Sequence, residues 1–243
     1  MRGLKLKSTT ASVVWVEPHQ IQAGGKALPL DGLPPRERLD SLLGELPQRP
    51  TAWIVDDLWA PSLLQRDIVT LPAGAEGREA FFRWKFSQSL ALEAPHSVQS
   101  LELGEGAWLL VGIQEALREE WLQAGSRLAR PMHSLLPRWL YLYNRLAPSR
   151  ERPGMFLSLC PHGDGGYTGT LAAWGRTLTL LRQWAEPASP ETWQRERVLP
   201  TATYLQRESR TPQELWVWGA DHWPETELPL QIILPEIPAQ EAL

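Results

Sequence analysis

The stretch CPHGDGGYTGTLAAWGRTLTLLRQW, residues 160–184, holds the chain's one cysteine, a histidine two residues on, an aspartate, three close glycines (Gly163, Gly165 and Gly166) and, further on, four threonines. Whether it is a metal site, a nucleophile with its base, a phosphate cradle or a turn between strands decides the fold and the chemistry. Cys160, His162 and Asp164 alternate, and alternate side chains of an extended strand point the same way. Three residues in one short stretch do not close a zinc site, and no C-x-x-C or H-E-x-x-H partner stands elsewhere. Gly163, Gly165 and Gly166 would let backbone N–H groups approach an anion. Yet no G-x-x-x-x-G-K-[ST] is present, and the loop joins strand to strand, so no helix N-terminus meets a phosphate. By its mechanics the stretch is a hairpin: MFLSLC, a glycine turn, YTGTLAAW, then RTLTLLRQW.

Outward from it, strands and helices alternate along the chain. SVVWVEP (12–18) and IQAGGKALPL read as short strands, with a hairpin turn at Gly24-Gly25. Residues 31–46 carry Leu39, Leu42, Leu43 and Leu46 at helical spacing. PTAWIVDD (50–57) and LLQRDIVTLP (63–72) read as strands, and 76–92 as an amphipathic helix. SVQSLEL and GAWLLVGI form a hairpin about Gly104-Glu105-Gly106. A helix over 114–125 is expected to stop at Gly125 as a C-cap. A strand SRLARPM follows it, then a helix over 133–146 interrupted or started near Pro137. A helix over 189–209 is expected to bend or divide at Pro200. PQELWVWG is a last strand, and the proline-rich tail is at most an edge segment. The class is α/β or α+β with mixed sheets.

The chain has 243 residues, a formal net charge of -4 and 43% hydrophobic residues. Those values fit one large domain or two small ones and give no reason to expect nucleic acid. A lone cysteine leans towards a reducing compartment, and no apolar run is long enough to span a bilayer. Thirteen tryptophans against four phenylalanines and four tyrosines imply that tryptophan fills much of the core. Asp56 and Asp57 close a strand on opposite faces, so they cannot serve one site and read as a solvated strand end. On the helix 76–92, Phe82 and Phe86 share one face, while Phe81 and Trp84 neighbour each other. That surface is wider than one packed side needs and could receive a partner segment.

The order RDIVTLP, EGREAFFRWKFSQSLALE, then WLLVGIQEALREEWLQAGSRLARPM resembles the type IV pilus assembly family of PilM and the cytoplasmic part of the type II secretion protein GspL. The stretch MFLSLCPHGDGGYTGTLAAWGRTLTLLR and the late ELWVWGADHW fit the same order, so the resemblance covers roughly residues 10–220. It implies an actin-like fold of two ribonuclease-H-like halves: 1–72 with 132–148, and 149–225. A small α+β subdomain is inserted at 73–131, and a proline-rich tail occupies 226–243. ATP-binding members of the family carry an early D-x-G-S/T loop, and SVVWVEPHQIQAGGK has none. Asp164, Gly165, Gly166, Thr168 and Gly219 are the degenerate remnants of the nucleotide loops. No cofactor and no metal are expected, and hydrolysis is expected to be lost; ATP with Mg²⁺, in an active ATPase or small-molecule kinase of this fold, is the alternative. The resemblance further implies a cytoplasmic scaffold, peripheral on the inner membrane. It would bind the tail of a PilN-like bitopic membrane protein and other pilus or secretion platform proteins. Phe81, Phe82, Trp84, Phe86 and Ile68 are the candidate partner-binding residues.

Overall fold

The structure is a computed structural model and describes residues 11–30, 36–68, 70–146, 152–161, 165–225 and 230–234. Two compact units divide between Arg138 and Trp139.

In the first unit, the strands are β1 (Ser12–Glu17), β2 (Gln20–Ala23), β3 (Lys26–Pro29), β4 (Thr51–Val55) and β8 (Met132–Pro137). They form one sheet in the order β3-β2-β1-β4-β8. β1 to β3 make an antiparallel meander, whereas β4 runs parallel to β1 and β8 parallel to β4. Helices α1 (Arg36–Glu45) and α3 (Glu115–Arg127) supply the crossovers that parallel pairing requires. Leu39, Leu42 and Leu43 of α1 and Leu117, Trp121 and Ala124 of α3 share one cluster with Val14, Val16, Ile21, Trp53 and Val55. Trp53 and Trp121 stack at 5.2 Å, and Thr51 Oγ1 accepts from the Trp53 indole at 2.9 Å, so the bulky ring carries no orphan donor. Arg130 closes α1: its Nε donates to Leu46 O at 2.7 Å and its Nη2 to Gly44 O at 3.0 Å.

Between β4 and α3, the unit carries a three-stranded antiparallel sheet. Its strands are β5 (Ser62–Gln65), β6 (His96–Gly104) and β7 (Ala107–Gln114), in the order β5-β7-β6, with α2 (Ala75–Ser89) packed on it.

In the second unit, β9 (Gly154–Pro161), β10 (Tyr167–Trp174), β11 (Leu178–Ala188), β12 (Glu214–Trp218) and β13 (Gln231–Ile233) form a sheet ordered β11-β10-β9-β12-β13. It repeats the pattern of the first: an antiparallel meander of three, then two strands parallel to the first of them. Helix α4 (Arg138–Leu146) sets Tyr143 against Phe156 and Trp174 on one face. On the other face Met155, Leu157 and Leu159 pack with Trp193, Val198, Ala202 and Leu205. β9 is therefore buried on both faces, which is why MFLSLC is almost continuously apolar.

The helical stretch after β11 consists of α5 (Pro190–Thr192), a π-helical segment Trp193–Val198 and α6 (Leu199–Arg207). Of the bend or division expected at Pro200, division does not occur: the stretch is helical without a break. Proline has no N–H and its ring presses on the turn before it. The widened π turn directly upstream accommodates that ring. Arg197 in this turn lies 4.1 Å from the centre of the Trp193 ring and 5.3 Å from that of Trp184, and its Nη2 donates to Glu186 O at 3.1 Å. Burial holds the guanidinium pKa below its ordinary value, opposed by Glu186 and Glu196.

Other expectations need correction. The strand over 63–72 is only β5, Ser62–Gln65; Asp67 turns into the left-handed region (φ 57°) and Ile68 N donates instead to Gly106 O at 3.2 Å. The strand over 126–132 is absent, since α3 continues to Arg127 and β8 starts at Met132. Gly125 is not the cap. A Cβ there would lie 2.6 Å from Arg130 O, so this glycine serves close approach rather than termination. The actual stop is a Schellman motif. Arg130 N donates to Gly125 O (2.8 Å) and Ala129 N to Ser126 O (3.2 Å), with Ala129 at φ 55°.

The same motif ends α2 at Ala91 (φ 49°) and α6 at Ser209 (φ 56°). Each of the three left-handed positions thus holds a residue with a Cβ, at a cost of about 1–2 kcal/mol apiece. Ala91→Gly, Ala129→Gly and Ser209→Gly are each expected to stabilise the chain by about 0.5–1 kcal/mol after the unfolded-state entropy of glycine is counted. The sites lie in separate motifs, so the triple variant should gain nearly the sum. Urea midpoints at unchanged m-value check this; a loss of stability in the triple variant contradicts it.

Candidate functional site

The candidate partner surface is built on α2. Phe82 and Phe86, one helical turn apart, are 3% and 0% exposed and form the fully buried core of this part with Leu110. Phe82 lies 4.7 Å from the Trp108 ring. Phe86 rests on β7 where Gly112 leaves room: a Cβ on Gly112 would lie 2.3 Å from Cε1 of the ring. Phe81 is half-buried, at 5.6 Å from Phe82 and 6.2 Å from Trp84. Trp84 points outward and is 51% exposed, with Lys85 Nζ at 5.4 Å from its ring centre. Ile68 is partly buried against the same core and is tied through its main chain to the β6–β7 turn. The five residues therefore differ in what they present. Phe82 and Phe86 hold the helix down, Ile68 fixes the adjoining segment, and Phe81 with Trp84 forms the accessible aromatic pair. An exposed indole with a cation beside its ring is the residue type that anchors protein contacts.

The second set of candidates lies on the β9–β10 hairpin and directly after β12. Asp164 is outside the described residues, as are His162 and Gly163. Gly165 takes φ 82°, which only glycine adopts without strain. Gly166 adjoins β10, and Gly219 turns at φ 93° after β12. Thr168 is 1% exposed, and its hydroxyl sits inside the sheet without a hydrogen bond. Cys160 is buried at 4%. Among the described residues, no group of three His, Cys, Asp or Glu side chains is placed to hold a metal ion.

The carboxylates at the end of β4 are not solvated, contrary to the sequence expectation. Asp56 is 2% and Asp57 8% exposed. Asp56 Oδ1 accepts from Leu58 N at 2.9 Å and its main-chain oxygen from Trp59 N and Ala60 N, so its burial serves the turn after the strand. Sequence reasoning also passed over Glu17 and Arg138, which pair at 3.6 Å at the carboxyl ends of β1 and β8. A signal was present: each is a charge set directly after an apolar strand, SVVWV and SLLP. The carboxyl ends of parallel strands are where α/β sheets gather polar groups.

No protein-family model matches the chain, and a comparison with curated proteins finds no match. Solved structures do match. One is the cytoplasmic domain of EpsL, an inner membrane component of the type II secretion system of Vibrio cholerae. It is 13% identical with a TM-score of 0.53, over 91% of this chain and 84% of that one. Another is a chain of the PilM–PilN type IV pilus biogenesis complex, 14% identical with a TM-score of 0.56, over 87% of this chain and 81% of that one. At such identities the likeness is one of fold: this chain shares with both matched structures an α/β architecture with mixed sheets.

Proposed function

We propose that the chain is a cytoplasmic scaffold of the inner-membrane assembly platform of a type IV pilus or type II secretion system. It binds the short cytoplasmic tail of a bitopic, PilN-like membrane protein. The observation that carries this reading is the fold shared with a chain of the PilM–PilN complex over 87% of this sequence. In the described residues no helix is long and apolar enough to cross a membrane. The two five-stranded sheets of equal strand order are read as ribonuclease-H-like halves of an actin-like fold, with the α2 and three-stranded-sheet region (73–131) as the inserted subdomain. Phe81 and Trp84 are proposed as the part that touches the tail, because they are the aromatic side chains of α2 left accessible. We further propose that nucleotide hydrolysis is lost. No D-x-G-S/T loop follows β1, and the Thr168 hydroxyl is buried.

The test is calorimetric titration of the full chain with the N-terminal peptide of the bitopic platform protein encoded by the same organism. Trp84→Ala is expected to weaken binding by about 30-fold, the loss of one aromatic anchor. Its effect on the melting temperature should be negligible, because an exposed side chain is worth less than about 0.5 kcal/mol to folding. Absence of binding by this or any other bitopic platform protein would sink the proposal. In parallel, ATP with Mg²⁺ is expected to leave the melting temperature unchanged. A shift of several degrees would report native-state binding and restore the ATPase reading.

A further inference from the structure

The first unit holds a cavity of about 560 Å³ at the amino end of β1, walled by the start of that strand, the β2–β3 turn and the chain that leaves α1. That volume lies in the range of small-molecule sites, ~300–1,000 Å³. Three pieces of sequence build it. Ser12 N donates to Pro50 O at 3.0 Å, which ties the segment after α1 to the strand. Gly24 and Gly25 turn the hairpin at φ 57° and 79°, outside the ladder that closes at Ala23 and Lys26. A Cβ on Gly24 would lie 3.0 Å from Leu46 Cδ2, so the turn sits directly on the residue that follows α1.

The lining joins an apolar wall to a charged rim. Val13 and Trp15 are half-buried and alternate with the fully buried Val14 and Val16, so they stand on the other face of β1. Three charged side chains line the cavity: Lys26, Glu45 and Arg49. Lys26 and Glu45 pair with each other. Arg49 has no carboxylate partner among the described residues; its Nε donates to Ser12 Oγ at 2.9 Å. Ser12 is 6% exposed, so a buried hydroxyl fixes the guanidinium at the wall while its Nη donors stay uncommitted. The cavity thus carries one oriented, uncompensated cation in a chain of formal net charge -4.

We propose that this cavity binds a small organic anion: a carboxylate or phosphate group joined to a flat apolar body. Arg49 takes the anionic group on its Nη donors, because the planar fork matches the paired oxygens of either group. Val13 and Trp15 give the apolar body its contact area. A cationic ligand would face Arg49 and Lys26 against the single carboxylate of Glu45, which disfavours it. None of these residues lies on α2, so the site stands or falls independently of tail binding there.

The probes are benzoate and phenyl phosphate, with neutral benzamide as counter-probe, added to the full chain carrying fluorine-labelled tryptophan. The Trp15 resonance is identified by its loss in Trp15→Phe. At least one of the two anions is expected to shift that resonance saturably in the millimolar range, and benzamide is not. Saturation by benzoate alone marks a carboxylate site, and by phenyl phosphate alone a phosphate site; either supports the proposal. Arg49→Gln should weaken binding about tenfold or more, through loss of charge-assisted hydrogen bonds. Glu45→Gln removes the one carboxylate of the lining and releases Lys26, so it should tighten binding severalfold. Thermal melts check that each variant is folded; should Arg49→Gln fail to fold, Glu45→Gln decides alone. The proposal is overturned if neither anion gives a saturable shift, or if benzamide shifts Trp15 equally. Undiminished binding by folded Arg49→Gln, or unchanged or weaker binding by Glu45→Gln, overturns it as well.

Discussion

Phe86→Ala is expected to cost about 3–5 kcal/mol, the range for removing a fully buried phenylalanine. The size follows from how little else holds α2 to its sheet. Among the described residues, Phe82, Phe86 and Leu110 form the fully buried cluster there, with Leu63, Ile68, Leu71, Phe81, Leu90, Leu92, Val98 and Trp108 partly buried around them. Deleting one of three core side chains leaves a cavity that the remaining two cannot close, because Phe82 is already committed to Trp108 at 4.7 Å. Gly112 gives the converse check. Its missing Cβ is the space in which the Phe86 ring lies, so Gly112→Ala in the otherwise unchanged chain forces the ring off β7. The damage is expected to be local. A core this small opens as its own unit, so hydrogen exchange in β6 and β7 should accelerate well before that in β1 and β4. Tail binding should fail with it, since the helix that carries Trp84 is no longer fixed. Phe86→Ala thus loses binding together with stability, while Trp84→Ala loses binding alone. If Phe86→Ala costs less than about 1 kcal/mol, α2 is held by something other than this core.

The elements that were legible from residues alone are those in which local pattern and tertiary packing agree. The Gly24-Gly25 hairpin, the β6–β7 turn at Gly104-Glu105-Gly106 and the amphipathic helices over Leu39–Leu43 and Phe82–Phe86 are of this kind. Helix ends were not, and the reason is chemical. Glycine is the usual residue at a left-handed stop, yet α2, α3 and α6 stop at alanine, alanine and serine. Gly125 meanwhile sits inside α3 for contact with Arg130 O, so the letter that signals a cap marked something else. Burial of Asp56 and Asp57 was hidden in the same way. A carboxylate at a strand end is ordinarily solvated, and only the turn that Asp56 accepts from Leu58 N shows why this one is not. At the candidate site, helical spacing paired Phe82 with Phe86 and Phe81 with Trp84 on one wide apolar surface, and the family resemblance added Ile68. Dividing them into supports and accessible residues needed the sheet on which Phe82 and Phe86 rest.

Gly169→Ala is expected to cost about 3 kcal/mol, at the upper end of overpacking by a single methyl group. A Cβ at this position would lie 2.2 Å from Ser158 O and 3.2 Å from Leu159 Cδ2. The first of these is main chain of β9, held between β10 on one side and β12 on the other, so it has no direction in which to yield. Relief would require parting β9 from β10 at the centre of the sheet, and the Met155, Leu157 and Leu159 face that packs on Trp193 would move with it. Gly165→Ala is the internal control. It has nothing within 4 Å, only φ 82°, and is expected to lose about 1–2 kcal/mol for the left-handed backbone. Denaturant midpoints of the two variants therefore rank the glycines of DGGYTG by mechanism. If Gly169→Ala is the larger loss, this glycine is retained for strand packing, and a phosphate-cradle account must rest on Gly165 and Gly166 alone. If Gly165→Ala is the larger, the spacing of β9 and β10 is looser than 2.2 Å implies and the packing argument for Gly169 fails.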